Sequence, residues 1–121
     1  IAEQLNRAKR FNQALKVMKD VMILLPDDAW SNFIYGYSLF YLRRFNEAEF
    51  FFRKAFKSAP DYPAYGIFLS RSLLEQHKIT EAMQIINQTL ERIPHKLAFR
   101  YVAITSYIIK NHIAITDIRW S

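Results

Sequence analysis

A spacing of 34 residues governs this sequence. Phe11-Asn12-Gln13-Ala14, Phe45-Asn46-Glu47-Ala48 and Ile79-Thr80-Glu81-Ala82 stand in register at that interval, as do Pro26, Pro60 and Pro94. A fixed period of this length marks a stack of similar supersecondary units, each of which buries its apolar face only against its neighbours. Composition agrees. Of 121 residues 51% are apolar, enough for a continuous core, and with two Gly and four Pro the chain is poor in loop formers, which favours a compact all-α domain.

Apolar spacing within the period predicts paired helices. Ile1, Ala2 and Leu5 read as the back end of a helix that closes at Lys9-Arg10. From Phe11 to about Leu25 the residues Ala14, Leu15, Met18, Val21, Met22 and Leu25 recur at three- and four-residue intervals, the pattern of an amphipathic helix, and Pro26 ends it. Asp27-Asp28 offer carboxylates to the free amides of a helix from about Ala29 to Leu42, which Arg43-Arg44 close. Further helices are expected at about Asn46 to Ser58, Pro63 to Gln76, Thr80 to Arg92 and Leu97 to Lys110, with Pro63 suited to a first helical position. The Phe50-Phe51-Phe52 triplet presents rings on more than one face of its helix, so a neighbour should cover part of it. The stretch from Ile113 to Ser121 is ambiguous: Ile113 keeps the register of Phe11, but Thr116 stands where the other units have Ala. The opening at Ile1, already mid-helix in character, leads us to expect a portion of a longer chain.

Gly36, Ala48, Phe52, Ala55 and Pro60, followed one period later by Ser70, Ala82, Ile86 and Pro94, carry a resemblance to the tetratricopeptide repeat (TPR) family. The resemblance covers roughly residues 1 to 113. It implies a right-handed solenoid of about three and a half helix–turn–helix units, approximately 1–28, 29–62, 63–96 and 97–121, in one domain. Two positions depart from the family pattern. Asn32, Gly66 and Arg100 replace the frequent Trp near the start of the first helix, and Thr89 stands where Ala55 stands one unit earlier.

The same resemblance implies a concave side lined by the first helix of each unit. Its groove-facing positions fall at Trp30, Phe33, Tyr37, Phe40 and Tyr41, then at Ala64, Ile67, Arg71 and Leu74, then at Ala98, Tyr101, Thr105 and Ile108. Such a groove is aromatic and aliphatic, with Arg71 as its central cation. Contiguous apolar surface of this kind marks a contact site, although an apolar stripe at helical spacing can equally be core. The surface that clamps a C-terminal carboxylate in TPR cochaperones holds Phe33, Tyr37, Phe68 and Tyr101 here, so no carboxylate clamp is visible.

Charge suggests a second surface. The net charge of +6 includes a series at the turn inside each unit, Lys9-Arg10, Arg43-Arg44, His77-Lys78 and Lys110 with His112, which stacking would align into a basic ridge. Cations after a helix are also favoured by its dipole, and Asp27, Asp28 and Asp61 occupy the opposite edge, which disfavours nucleic-acid binding. No enzyme is expected. His77, His95 and His112 lack the spacing of a helical metal pair, there is no Gly-rich phosphate loop, and Glu47 and Glu49 point to different sides of one helix. No apolar run reaches the roughly 18 residues of a membrane span.

These readings converge on a protein-interaction module without cofactor, whose groove takes an apolar or amphipathic segment of a protein or peptide partner, in a cytoplasmic setting. Its groove resembles that of the small TPR chaperones of bacterial type III secretion. The alternatives are a regulatory or self-associating domain, resembling the helical repeats that follow a DNA-binding domain in bacterial transcription activators and open to homodimer formation, and nucleic-acid binding along the basic ridge.

Overall fold

The computed structural model describes residues 2–94, 97, 102, 105, 106 and 108–111. Five helices follow in order: α1 (Ala2–Leu24), α2 (Ala29–Tyr41), α3 (Phe45–Ser58), α4 (Pro63–Glu75) and α5 (Ile79–Arg92). The described residues between 97 and 111 are helical as well. Successive helices pack antiparallel as an all-α helical repeat. The backbones of α2 and α4 also approach each other, whereas those of α3 and α5 do not, and these two are bridged by the Arg53 and Glu81 side chains. The first helices of successive units therefore lie on the tighter, concave side.

Local chemistry explains the boundaries. Asp28 is the N-cap of α2, its carboxylate accepting from the Ser31 N–H at 2.9 Å and the Ser31 hydroxyl at 2.7 Å. Those two bonds favour the ionised form and hold the Asp28 carboxyl below its ordinary range. Pro63 opens α4, where its missing N–H costs nothing. α2 and α4 both end in a Schellman arrangement: Arg44 N–H donates to the Leu39 carbonyl and Lys78 N–H to the Leu73 carbonyl, each at 2.9 Å. This arrangement requires a left-handed residue after the helix, and Arg43 (φ 63°) and His77 (φ 62°) supply it.

The expected break at Lys9-Arg10 does not occur, because α1 runs unbroken through both residues. A left-handed non-Gly residue costs about 1–2 kcal/mol, and at Arg43 and His77 it is offset by the packing of two full helices on each other. Residues 2–24 instead form one helix, with no left-handed residue at Lys9 or Arg10. Helical hydrogen bonding therefore continues through Lys9.

The core runs through α2 to α5, with Leu15 reaching it from α1. α3 buries Ala48, Phe52 and Ala55, and α5 buries Ala82, Ile85, Ile86 and Thr89, one stripe each. The Phe triplet divides as its spacing requires: Phe52 is fully buried, Phe51 lies against Tyr35 with centroids 4.5 Å apart, and Phe50 is exposed. The departures at Asn32 and Gly66 also acquire a reason. Asn32 is buried and its amide donates to the carbonyls of Pro26 (3.0 Å) and Asp28 (2.8 Å), tying α2 to the preceding turn.

Gly66 and Thr89 are one period on from Asn32 and Ala55, and they exchange bulk. A Cβ on Gly66 would lie 1.9 Å from Thr89 Oγ1 and 3.0 Å from its Cβ. Thr89 thus fills the space that Gly66 leaves, with its hydroxyl satisfied by the Ile85 carbonyl at 2.8 Å. Gly36 is held to its size in the same way by the Phe52 ring, 2.8 Å from where a Cβ would lie. Urea unfolding should show Gly66→Ala destabilised by about 1–3 kcal/mol through overpacking. The double variant Gly66→Ala/Thr89→Ala should be more stable than Gly66→Ala alone; a double variant no better than the sum of the two singles would refute the exchange of volume.

Candidate partner-binding face

The face formed by α2 and α4 is built in layers. Innermost, Phe33 and Phe40 are buried, as is Leu74. Phe33 meets the rings of Phe52 at 5.7 Å, Tyr65 at 5.1 Å and Phe68 at 5.5 Å, and Phe40 meets Phe45 at 5.2 Å and Phe68 at 5.8 Å. These residues, expected to line the groove, are instead its floor and belong to the core, because α3 and α4 converge on them with rings of their own. Thr105 is likewise buried.

On that floor stand half-buried Tyr37, Phe68 and Arg71, and Ile67 is half-buried one turn before Arg71. Outermost are Trp30, 54% exposed, and Tyr41, 42% exposed. Trp30 rests on Phe33 with centroids 5.7 Å apart, and Tyr41 lies 4.7 Å from Tyr37. Burial, and then the adjacent Tyr41 phenol, push the Tyr37 hydroxyl above its ordinary value, while the Arg71 cation pulls against them. Tyr37 therefore stays neutral near pH 7 and keeps its O–H as a donor. Ala64 is half-buried, and Ile108 is half-buried against the core. Ala98 and Tyr101 lie outside the described residues.

Two residues of this face were absent from the groove positions inferred from sequence. Phe11 of α1 stacks on Tyr41 at 5.4 Å and 12°. The period contained the signal: Gln76 reaches the Phe45 carbonyl at 3.4 Å, and one unit earlier the same pairing puts Phe11 beside the end of α2. Phe68 touches Phe33, Tyr37, Phe40 and Phe52 and so joins both layers. The comparison with the carboxylate-clamp surface places Phe68 here, although the groove stripe through Ile67 and Arg71 passes it by.

The basic series does not form a ridge of free cations. Arg44 pairs with Glu47 and Lys78 with Glu49 at 3.1 Å, while Arg43 sits 5.5 Å from the Phe45 ring. Lys9 and Arg10 lie within α1 instead of at a turn, and Lys110 is exposed. An open cleft of about 680 Å³ lies between α3 and the α4–α5 turn, lined by Asn46, Glu49, Phe50, Arg53, Gln76 and Lys78. Its polar groups largely satisfy one another. Glu49 accepts from Arg53 Nε and Gln76 Nε2, each at 2.9 Å, and from Lys78 Nζ, and Arg53 also reaches Glu81 at 2.8 Å. The cleft is a strut between two units.

The sequence matches the tetratricopeptide repeat family over residues 39–101, just over half of the chain. The chain belongs to this family. No curated protein and no solved structure matches it. TPR units generally mediate protein–protein interaction and are not themselves catalytic. Among the described residues no group of His, Cys, Asp or Glu is arranged to hold a metal ion, and no helix is long and apolar enough to cross a membrane.

Glu49 gives this TPR domain an acid sensitivity. Partial burial acts to raise its carboxyl, but the bonds from Arg53, Lys78 and Gln76 outweigh it and hold the group below its ordinary range. A depressed folded-state value gives stabilisation that is complete above the ordinary value of about 4.5 and is lost as pH falls through the depressed one. Urea midpoints measured between about pH 6 and pH 3 should fall less steeply for Glu49→Gln than for wild type, from a lower value at pH 6. Parallel curves would remove Glu49 from the acid response.

Proposed function

We propose that the α2–α4 face of this TPR domain captures an apolar or amphipathic segment of a partner protein. The observation that carries this reading is the exposure of Trp30 and Tyr41, large aromatic side chains left open at the rim of a face whose floor is packed rings. Trp and Tyr in such settings supply much of the binding energy at protein interfaces. The layering adds preorganisation: because Phe33, Phe40 and Phe52 are fixed in the core, the rings above them lose little freedom when a partner docks.

A separate observation favours self-association as a second reading. Val17, Ile23 and Leu24 on α1 are 64%, 78% and 80% exposed, and Leu25 beside them is also exposed. Light scattering across a range of concentrations distinguishes this surface, since Ile23→Glu and Leu24→Glu would dissociate a dimer built on α1 and leave a monomer unchanged.

For the face itself, Trp30→Ala and Tyr41→Ala are the informative substitutions. Phe40→Ala is not, because removing a buried ring costs about 3–5 kcal/mol of stability whatever the face binds. In pull-downs from extracts of the source organism, wild type should retain a partner that each exposed-ring variant loses. Once the partner is isolated, each loss should amount to about 2 kcal/mol, roughly thirtyfold in Kd, with helicity unchanged by circular dichroism. Equal retention by all three proteins would sink the reading.

A further inference from the structure

We infer that the segment taken by this face carries an internal acidic side chain, Asp or Glu, that pairs with Arg71; the inference rests on the docking reading above. Five cations of the outer surface have carboxylate partners: Arg44 with Glu47, Arg53 with Glu49 and Glu81, Lys54 with Asp27, Lys78 with Glu49, and Arg92 with Asp61. Arg71 is half-buried and charged, and among the described residues no carboxylate lies within ion-pair distance of it. A cation partly removed from water gains more from a carboxylate than an exposed one does.

Its setting is suited to that acceptor. The guanidinium lies 4.9 Å from the Phe40 centroid and 5.0 Å from the Phe68 centroid, in the corner of two rings set edge to face at 80°. With the rings at 80°, a guanidinium stacked on one turns an edge to the other, and the N–H donors of its remaining edges are left for a planar acceptor such as a carboxylate. The aromatic corner thus fixes the cation before a partner arrives, and an acid paired there would lose little to side-chain ordering.

The surroundings select the kind of acid. Arg71 is mid-helix in α4, with Ile67 a turn earlier and the rings of α2 alongside, so a segment crossing the face meets apolar surface on more than one side of the cation. The acid is therefore an internal side chain flanked by apolar anchors, and not a chain end. A nucleic-acid backbone would ask for several cations in a row, whereas the cations just named turn to carboxylates of the outer surface.

The test is selection of displayed short random peptides on the whole chain, wild type beside Arg71→Lys and Arg71→Met. Met keeps an apolar stem against Phe40 and Phe68 without the charge. Wild type should enrich aromatic and aliphatic sequences with Asp or Glu over-represented among them; Arg71→Lys should keep the acidic bias, and Arg71→Met should keep the apolar preference and lose the bias. For one selected peptide, Glu→Gln should weaken binding to wild type about tenfold, less at high salt. That comparison needs no variant of the protein. Apolar enrichment without acidic bias, or a bias untouched by Arg71→Met in a helical variant, overturns the role of Arg71 and leaves the docking face standing. Failure to enrich any apolar sequence overturns the docking face as well.

Discussion

Close approach of paired helices, with a side chain of one filling the space where the other carries little or none, is the constraint on which the rest of this structure rests. Gly36 lets the Phe52 ring lie against α2, and Gly66 lets Thr89 lie against α4. Because interiors are packed as densely as organic crystals, the bulk of the two positions is shared and can be divided differently from unit to unit. Gly66 with Thr89 is one such division, at the positions that hold Asn32 and Ala55 one period earlier. Asn32 also uses its side-chain nitrogen, which holds the turn before α2 through two backbone carbonyls.

Once Phe52 is fixed, the concave face follows from it. Phe52 supports Phe33, Phe40 and Phe68; these support Tyr37 and Arg71; and Trp30 and Tyr41 stand outermost. Rigidity therefore grades outward from a ring with no exposure to rings about half exposed. A surface supported in this way is formed before it meets a ligand, which is how a repeat protein offers an apolar face without that face collapsing into its own core.

Charge is divided between the two sides. On the outer side Arg44, Arg53, Lys54, Lys78 and Arg92 meet carboxylates, several of them across units, as Arg53 meets Glu81 and Arg92 meets Asp61. Exposed pairs of this kind contribute little individually, but Glu49, with three donors and partial burial, joins α3 to the α4–α5 turn and helps set the register of one unit on the next. On the concave side Arg71 lies against aromatic rings and, among the described residues, has no carboxylate partner. A formal charge of +6 therefore says little about which surface is basic, since pairing depends on which residues stacking brings together.

The sequence by itself determined the period, the helical class, the Asp28 cap, the Pro63 start and the ends of α2 to α5 to within a residue, because each follows from chemistry within a few residues or from repetition at 34. It also determined which helical face is aromatic. Only the tertiary structure decided how deep each aromatic residue lies: Trp30 and Phe33 share a stripe on α2, yet one is open and the other is core, because Phe52 and Phe68 arrive from other helices to cover Phe33. The continuity of α1 was decided in the same way. Lys9-Arg10 resembles Arg43-Arg44 in sequence, yet of the two pairs only the second contains a left-handed residue, Arg43, where α2 and α3 pack across the turn, and packing between segments is not recorded in local spacing.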